Sequence, residues 1–285
     1  MQARLSGLCL SLGVMVLSLG IPSAGAADKL TPEEVIQRHL ESVAPAETLA
    51  ARTSLKAEGQ VLFEVVVGGQ GQLQGPSTFI CDGKKVRMSM GFDVNDYPGE
   101  DVSFTGTAVE VGWIQPGVRS AMGQFFFQFD EILREGLFGG ALSTGWSLLH
   151  LESLQPKLKY EGLKKLDGKT YHTIRYQRRK GTDVQTNLYF EPETFQHVHT
   201  VYKVRISSPI IANNSGASAS QPETWYTLQE SFANFRDVRG VNLPTTWTLE
   251  FSKEIGRTGS VLRFSTQYTS MLPNAKLEAA EFKIH

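Results

Sequence analysis

The chain has 285 residues, 28 Lys and Arg against 29 Asp and Glu, and a formal net charge of −1. That balance supplies no basic field for nucleic acid, while 41% hydrophobic residues is ample for a buried core. With two cysteines in all, Cys9 and Cys81, no disulfide framework organises the fold.

Residues 1–26 carry the pattern of an export signal. Arg4 gives the positive start, residues 8–19 an apolar stretch, and Ala24-Gly25-Ala26 a small-residue cleavage site before Ala27. The apolar run is too short for a transmembrane anchor. Leu8 ahead of Cys9, and the place of Cys9 inside the apolar run, argue against lipid attachment. The expectation is a periplasmic, monomeric chain without a transmembrane anchor, forming one domain over residues 27–285. Its one remaining thiol, Cys81, is expected to be a buried small hydrophobe.

Thr31-Pro32-Glu33-Glu34 is a helix start: Thr31 caps, Pro32 suits the first turn and Glu34 completes a capping box. Val35, Ile36, Leu40 and Val43 form its apolar stripe, with a stop before Pro45 and a further turn or two over residues 46–52. His39, in this helix, is expected at the surface or its boundary. Leu55, Ala57, Gly59, Val61, Phe63, Val65 and Val67 alternate as a long strand. A glycine-rich turn over residues 68–75, a strand over 77–81, the Asp82-Gly83 turn and a strand through Val86, Met88 and Met90 follow, then a strand pair over 102–114.

Residues 123–152 change character. Phe125, Phe126, Phe127 and Phe129 lead into Ile132, Leu133, Leu137 and Phe138 at helical spacing. Gly139-Gly140 interrupts, and Leu142, Trp146, Leu148, Leu149 and Leu151 continue toward Pro156. The reading is a helix broken at the glycine pair and laid on a sheet.

Residues 159–206 hold four strand-like runs separated by Asp167-Gly168, Lys180-Gly181 and the turn at Pro192. Ile174 and Tyr176 face one way. Val184, Thr186, Leu188 and Phe190 share a face, as do Val198, Thr200, Tyr202, Val204 and Ile206, which sets His197, His199, Lys203 and Arg205 toward water. The result is an antiparallel meander with one apolar and one wet side. Residues 207–223, rich in Ser, Ala and Asn, read as a mobile loop. Strands resume at Tyr226, Leu228 and Phe232, turn at Arg239-Gly240, and continue through Trp247, Leu249 and Phe251. After a turn at 256–259 come Leu262, Phe264 and Tyr268, then a polar tail.

Chemistry is conspicuous by its lack of motifs. There is no Gly-x-Ser-x-Gly elbow, no His-Glu-x-x-His and no correctly spaced phosphate or dinucleotide loop. His197 and His199, two apart on a strand, suggest a metal pair, but no third ligand accompanies them. No catalytic residue, metal site or cofactor is assigned.

Three stretches carry a resemblance: EEVIQRHLESVAPAETLAARTSLKAEGQV near the start, GLKKLDGKTYHTIRYQRRKGTDVQTNLYFEPETFQHVHTVYK in the middle, and ESFANFRDVRGVNLPTTWTLEF late. In this order they make the chain resemble the bacterial periplasmic lipoprotein carriers (LolA/LolB-like), as a divergent member. The resemblance implies a mainly β, strongly curved antiparallel sheet, an incomplete barrel whose concave face is covered by helices. It also implies a non-enzymatic carrier or binding protein for a lipid, lipoprotein or other hydrophobic ligand. Candidate wall residues are Tyr176, Leu188, Tyr202, Trp247, Phe251 and Phe264; candidate lid residues are Phe126, Phe129, Leu133, Leu137, Phe138 and Trp146. The alternative is an envelope sensor or structural interaction module on the same fold, with a protein partner. A cavity of roughly 300 Å³ or more would favour the carrier and a filled interior the module.

Overall fold

A computed structural model describes residues 30–207 and 223–284. The proposed cleavage site and all but the two ends of the proposed mobile loop lie outside the described residues. The first helix, α1 (Pro32–Val43), starts as its sequence dictates. Thr31 accepts from the Glu34 N–H at 3.2 Å, and the Glu34 carboxylate accepts from the Thr31 N–H at 2.7 Å. A short α2 (Ala46–Ala51) follows across Pro45. The first wing of sheet is then β1 (Ser54–Val67), β2 (Gln72–Asp82), β3 (Lys85–Gly91), β4 (Gly99–Phe104) and β5 (Val109–Val111).

Next come α3 (Ala121–Gln128), α4 (Glu131–Arg134), two 3-10 turns (Gly140–Leu142 and Ser147–Leu149) and α5 (Leu151–Leu154). The second wing is β6 (Lys157–Leu166), β7 (Lys169–Gln177), β8 (Gln185–Phe190), β9 (His197–Ile206), β10 (Thr224–Val238), β11 (Val241–Ile255) and β12 (Thr258–Pro273). Among the described residues, twelve strands join one antiparallel sheet in the order β5-β4-β3-β2-β1-β12-β11-β10-β9-β8-β7-β6, with β5 and β6 at its edges. The sheet is open, as expected of an incomplete barrel.

At about 4.8 Å per strand, a flat sheet of this size would be roughly 50 Å wide. A single buried cluster nevertheless draws residues from β4 at one end to β7 at the other, including Val102, Phe79, Phe264, Tyr202 and Ile174. The sheet must therefore curl around residues 121–154, which fill its hollow and are here called the plug. One device of the curl is a register shift between Glu58 and Gly59 in β1. A Cβ on Gly59 would lie 2.0 Å from the Gln267 carbonyl oxygen, so only glycine lets β12 approach there.

The edge strand β6 carries Lys157, Lys159, Lys164 and Lys165, charges that discourage edge-to-edge association. Among the described residues, no helix is long and apolar enough to cross a membrane.

Several expectations need correction. The plug is not one long helix with a break; none of its helices exceeds the eight residues of α3. Gly136, Gly139 and Gly140 all adopt positive φ and cut the helical periodicity into pieces. The polar tail is partly structural, because Phe282 is fully buried and Arg87 donates to the Glu281 carbonyl at 2.7 Å. His39 and His197 are buried rather than solvated. A register shift between Tyr189 and Phe190 pairs Phe190 with His197 and turns that imidazole inward. His199 keeps its outward place.

Candidate functional site

Trp247 forms the floor of the hollow. Its ring meets Phe138 of the plug at 5.0 Å, Phe79 of β2 at 5.4 Å and stacks along Phe232 of β10 at 6.4 Å. Phe126 packs edge-on against Phe138 at 4.9 Å, joining two parts of the plug. Farther along, Phe125 bridges Phe129 at 5.1 Å and Phe251 at 5.5 Å, with Tyr226 alongside. Phe126, Phe129, Phe138, Trp247 and Phe251 thus belong to one aromatic seam between plug and sheet.

The other candidate residues are buried but not all in that seam. Trp146 lies against His39 at 4.9 Å and His197 at 5.0 Å. The Tyr176 hydroxyl donates to Glu135 at 3.3 Å, near Leu137, and Tyr202 turns its hydroxyl to Glu230. Leu133 and Leu188 are buried in the same core. Phe264 packs on Phe63 at 5.0 Å and pairs across β11 and β12 with Leu249, on the same face of the sheet as Trp247 and Phe251. The lid and wall close on each other tightly. Beside Ile132, Leu137, Tyr176 and Val184 the residual space is about 10 Å³, too small for a ligand.

Polar groups that periodicity did not single out hold the plug in place. The Glu230 side chain is fully buried and accepts three hydrogen bonds: from the Tyr202 hydroxyl at 2.7 Å, the Gly139 N–H at 2.9 Å and the Trp247 indole at 3.1 Å. Burial pushes its pKa up to about 7, against the downward pull of those donors. Arg52, just after α2, donates from one Nη to the plug carbonyls of Ala141 at 2.9 Å and Leu142 at 3.4 Å. Among the described residues it has no carboxylate partner, and burial lowers its pKa.

Cys81 is buried as expected; it accepts from the Thr144 N–H at 3.3 Å, and burial raises its pKa. Glu100, under the start of α3, accepts from Tyr97 at 2.5 Å and Ser120 at 2.7 Å, and burial pushes it up to about 7.

The glycine pair lets the plug touch the sheet. A Cβ on Gly139 would fall 2.8 Å from the Phe79 ring, and one on Gly140 would fall 2.8 Å from the His197 Nδ1. His197 and His39 are both held neutral. Burial lowers each, His39 to about 4. Their ring contacts are with Thr200 at 2.9 Å and the Phe195 carbonyl at 2.9 Å. No group of three or more His, Cys, Asp or Glu side chains suited to a metal occurs among the described residues.

The sequence did contain one signal for Glu230. It sits between Leu228 and Phe232 on the apolar face of β10, where alternation makes a charged residue an anomaly. Nothing around Arg52 marks it in advance, because its partners lie about ninety residues away.

The described residues thus form an open antiparallel sheet whose hollow is filled by the plug along a mixed apolar and polar seam. No protein-family model matches the sequence, and no curated protein matches it. Solved structures do. A LolA superfamily protein from Nitrosomonas europaea is 13% identical, over 90% of this chain and 99% of its own, with a TM-score of 0.45. A putative outer membrane lipoprotein-sorting protein domain from Vibrio parahaemolyticus is 11% identical over 87% and 97%, with a TM-score of 0.43. MucB in the Pseudomonas aeruginosa MucA/MucB complex is 10% identical over 86% and 99%, with a TM-score of 0.24.

Proposed function

We propose that the chain is a non-enzymatic envelope protein that binds an acyl chain, lipid or lipoprotein between the sheet and the plug, the seated plug being its closed form. The observation that carries this reading is the plug itself. Short helices and turns, rather than one stiff helix, fill an apolar hollow and are pinned by Arg52, Glu230 and Thr144. A segment of this kind can lift as a unit, exposing Trp247, Phe251 and the aromatic face beneath. Each methylene that replaced plug contacts would gain about 0.8 kcal/mol on leaving water. Export to the periplasm, from the pattern of residues 1–26, belongs to the same proposal.

The filled interior favours a second reading, an interaction module whose core never opens. Quenching by a brominated fatty acid separates the two. In a Trp113→Phe, Trp225→Phe background the remaining indoles, Trp146 and Trp247, both lie buried at the plug. A carrier gives saturable quenching below micelle formation and a melting temperature that rises with ligand. If both signals stay flat, the carrier reading fails and the module stands.

A further inference from the structure

On the outer side of the second wing lies a groove of about 710 Å³ that the plug does not use. It exists because β9 and β10 part company. Their ladder runs from Thr224↔Ile206 to Ser231↔His199 and ends there. Beyond that point β10 stays paired with β11 as far as Val238↔Val241. From Phe232 onward its main chain therefore has strand partners on one side only among the described residues. Asn234, at φ +55°, bends β10 within the parting.

The opposite wall is the β8–β9 turn, and it is firmly built. Glu191 donates its N–H to the Gln196 carbonyl at 2.9 Å, and Phe195 returns one to the Glu191 carbonyl at 3.0 Å. The Phe195 ring stacks on His172 at 5.0 Å, with the Arg38 guanidinium 5.0 Å from its centre. At the floor, His199 meets the Ser231 hydroxyl through Nδ1 at 2.9 Å and the Tyr171 hydroxyl through Nε2 at 3.4 Å.

We propose that this groove is a docking site for an extended, basic polypeptide segment of a partner protein. An extended chain fits because a one-sided strand offers it main-chain donors and acceptors in register, the mode of strand addition. A basic one fits because Glu191 and Glu193 on the groove wall outnumber the lining cation Lys169, and neither carboxylate has an ion-pair partner among the described residues. Val198 and Phe235 supply apolar contact for the residues between the charges. The groove is separate from the plug seam, so the proposal does not rest on ligand entry into the hollow.

The test is panning of a phage-displayed random decapeptide library on the wild-type protein, with Ala233→Trp as counter-selection. Ala233 is exposed on the groove wall, and an indole there would fill it. Circular dichroism and thermal unfolding confirm that the variant folds; if it does not, Glu191→Lys with Glu193→Lys replaces it. The expected enrichment is Lys or Arg alternating with Val, Ile or Leu. The leading peptide, labelled with fluorescein, should bind at least tenfold more weakly to Glu191→Gln/Glu193→Gln, and should slow amide exchange over residues 232–236. Equal enrichment on the filled variant, selection of acidic peptides, or unchanged affinity in the double variant would each overturn the proposal.

Discussion

Glu230→Gln isolates the energetic role of the buried carboxylate. Its pKa of about 7 in the folded protein stands above the ordinary 4.5. Between those values the folded protein holds a proton that the unfolded chain has released, so this contribution to stability is present at acid pH and is lost as pH rises through 7. From pH 5 to pH 8 the loss amounts to about 2.5 kcal/mol, with no discount for solvent screening because the group is fully buried. Glutamine fills the same space and does not titrate. The assay is urea unfolding of both proteins at pH 5 and pH 8, followed by near-ultraviolet circular dichroism.

Glu100 shares the direction, and the buried histidines oppose it below their ordinary value, but all remain in both proteins and cancel in the comparison. The stability of Glu230→Gln relative to wild type should therefore rise by about 2–3 kcal/mol from pH 5 to pH 8. An identical gap at the two pH values would show that the three donors, and not burial, govern the carboxylate.

Further outcomes follow from the same packing. Phe138→Ala should destabilise by about 3–5 kcal/mol, since its ring joins Phe126 to Trp247; denaturant midpoints read this directly, and a loss below about 1 kcal/mol would mean that the plug is not packed on the sheet in solution. Arg52→Met removes two donor contacts but also an uncompensated buried charge. Global stability should change by no more than about 2 kcal/mol, while amide exchange over residues 141–144 accelerates; unaltered exchange there would deny that Arg52 holds the plug. His197→Gln should cost more than about 1 kcal/mol and His199→Gln less, because one imidazole is enclosed by Trp146 and Phe232 and the other lies on the outer face; equal costs would contradict the inward turn of His197.

Strand alternation made most of the second wing legible. Ile174, Tyr176, Leu188, Tyr202, Trp247, Leu249 and Phe251 all face inward as their period of two requires. The period carries no information about register shifts, so alternation alone puts His197, displaced at the Tyr189/Phe190 irregularity, on the wrong face. The plug was legible as an apolar mass but not as a shape. Helical spacing from Phe125 to Leu151 is satisfied equally by one helix and by several fragments, and the positive φ of Gly136, Gly139 and Gly140 decides between them. Arg52 acts through the Ala141 carbonyl, a tertiary contact with no local pattern, whereas Glu230 shows in the sequence as a charge on an apolar face but without its Gly139 partner.

The placing of β1 against β12 has a kinetic consequence. The two wings meet along one seam, in which Leu55 pairs with Pro273 and Phe63 with Phe264. More than two hundred residues separate the partners along the chain. Loop-closure entropy for such a pairing must be met before its contacts can repay it, which sets folding on the slow side for a chain of this size. A chain still being made can assemble its hairpins, but β1 keeps a bare edge until β12 is complete. Removal of β12 would therefore leave two half-sheets with exposed inner edges, a species prone to aggregate and not a trimmed version of the native protein.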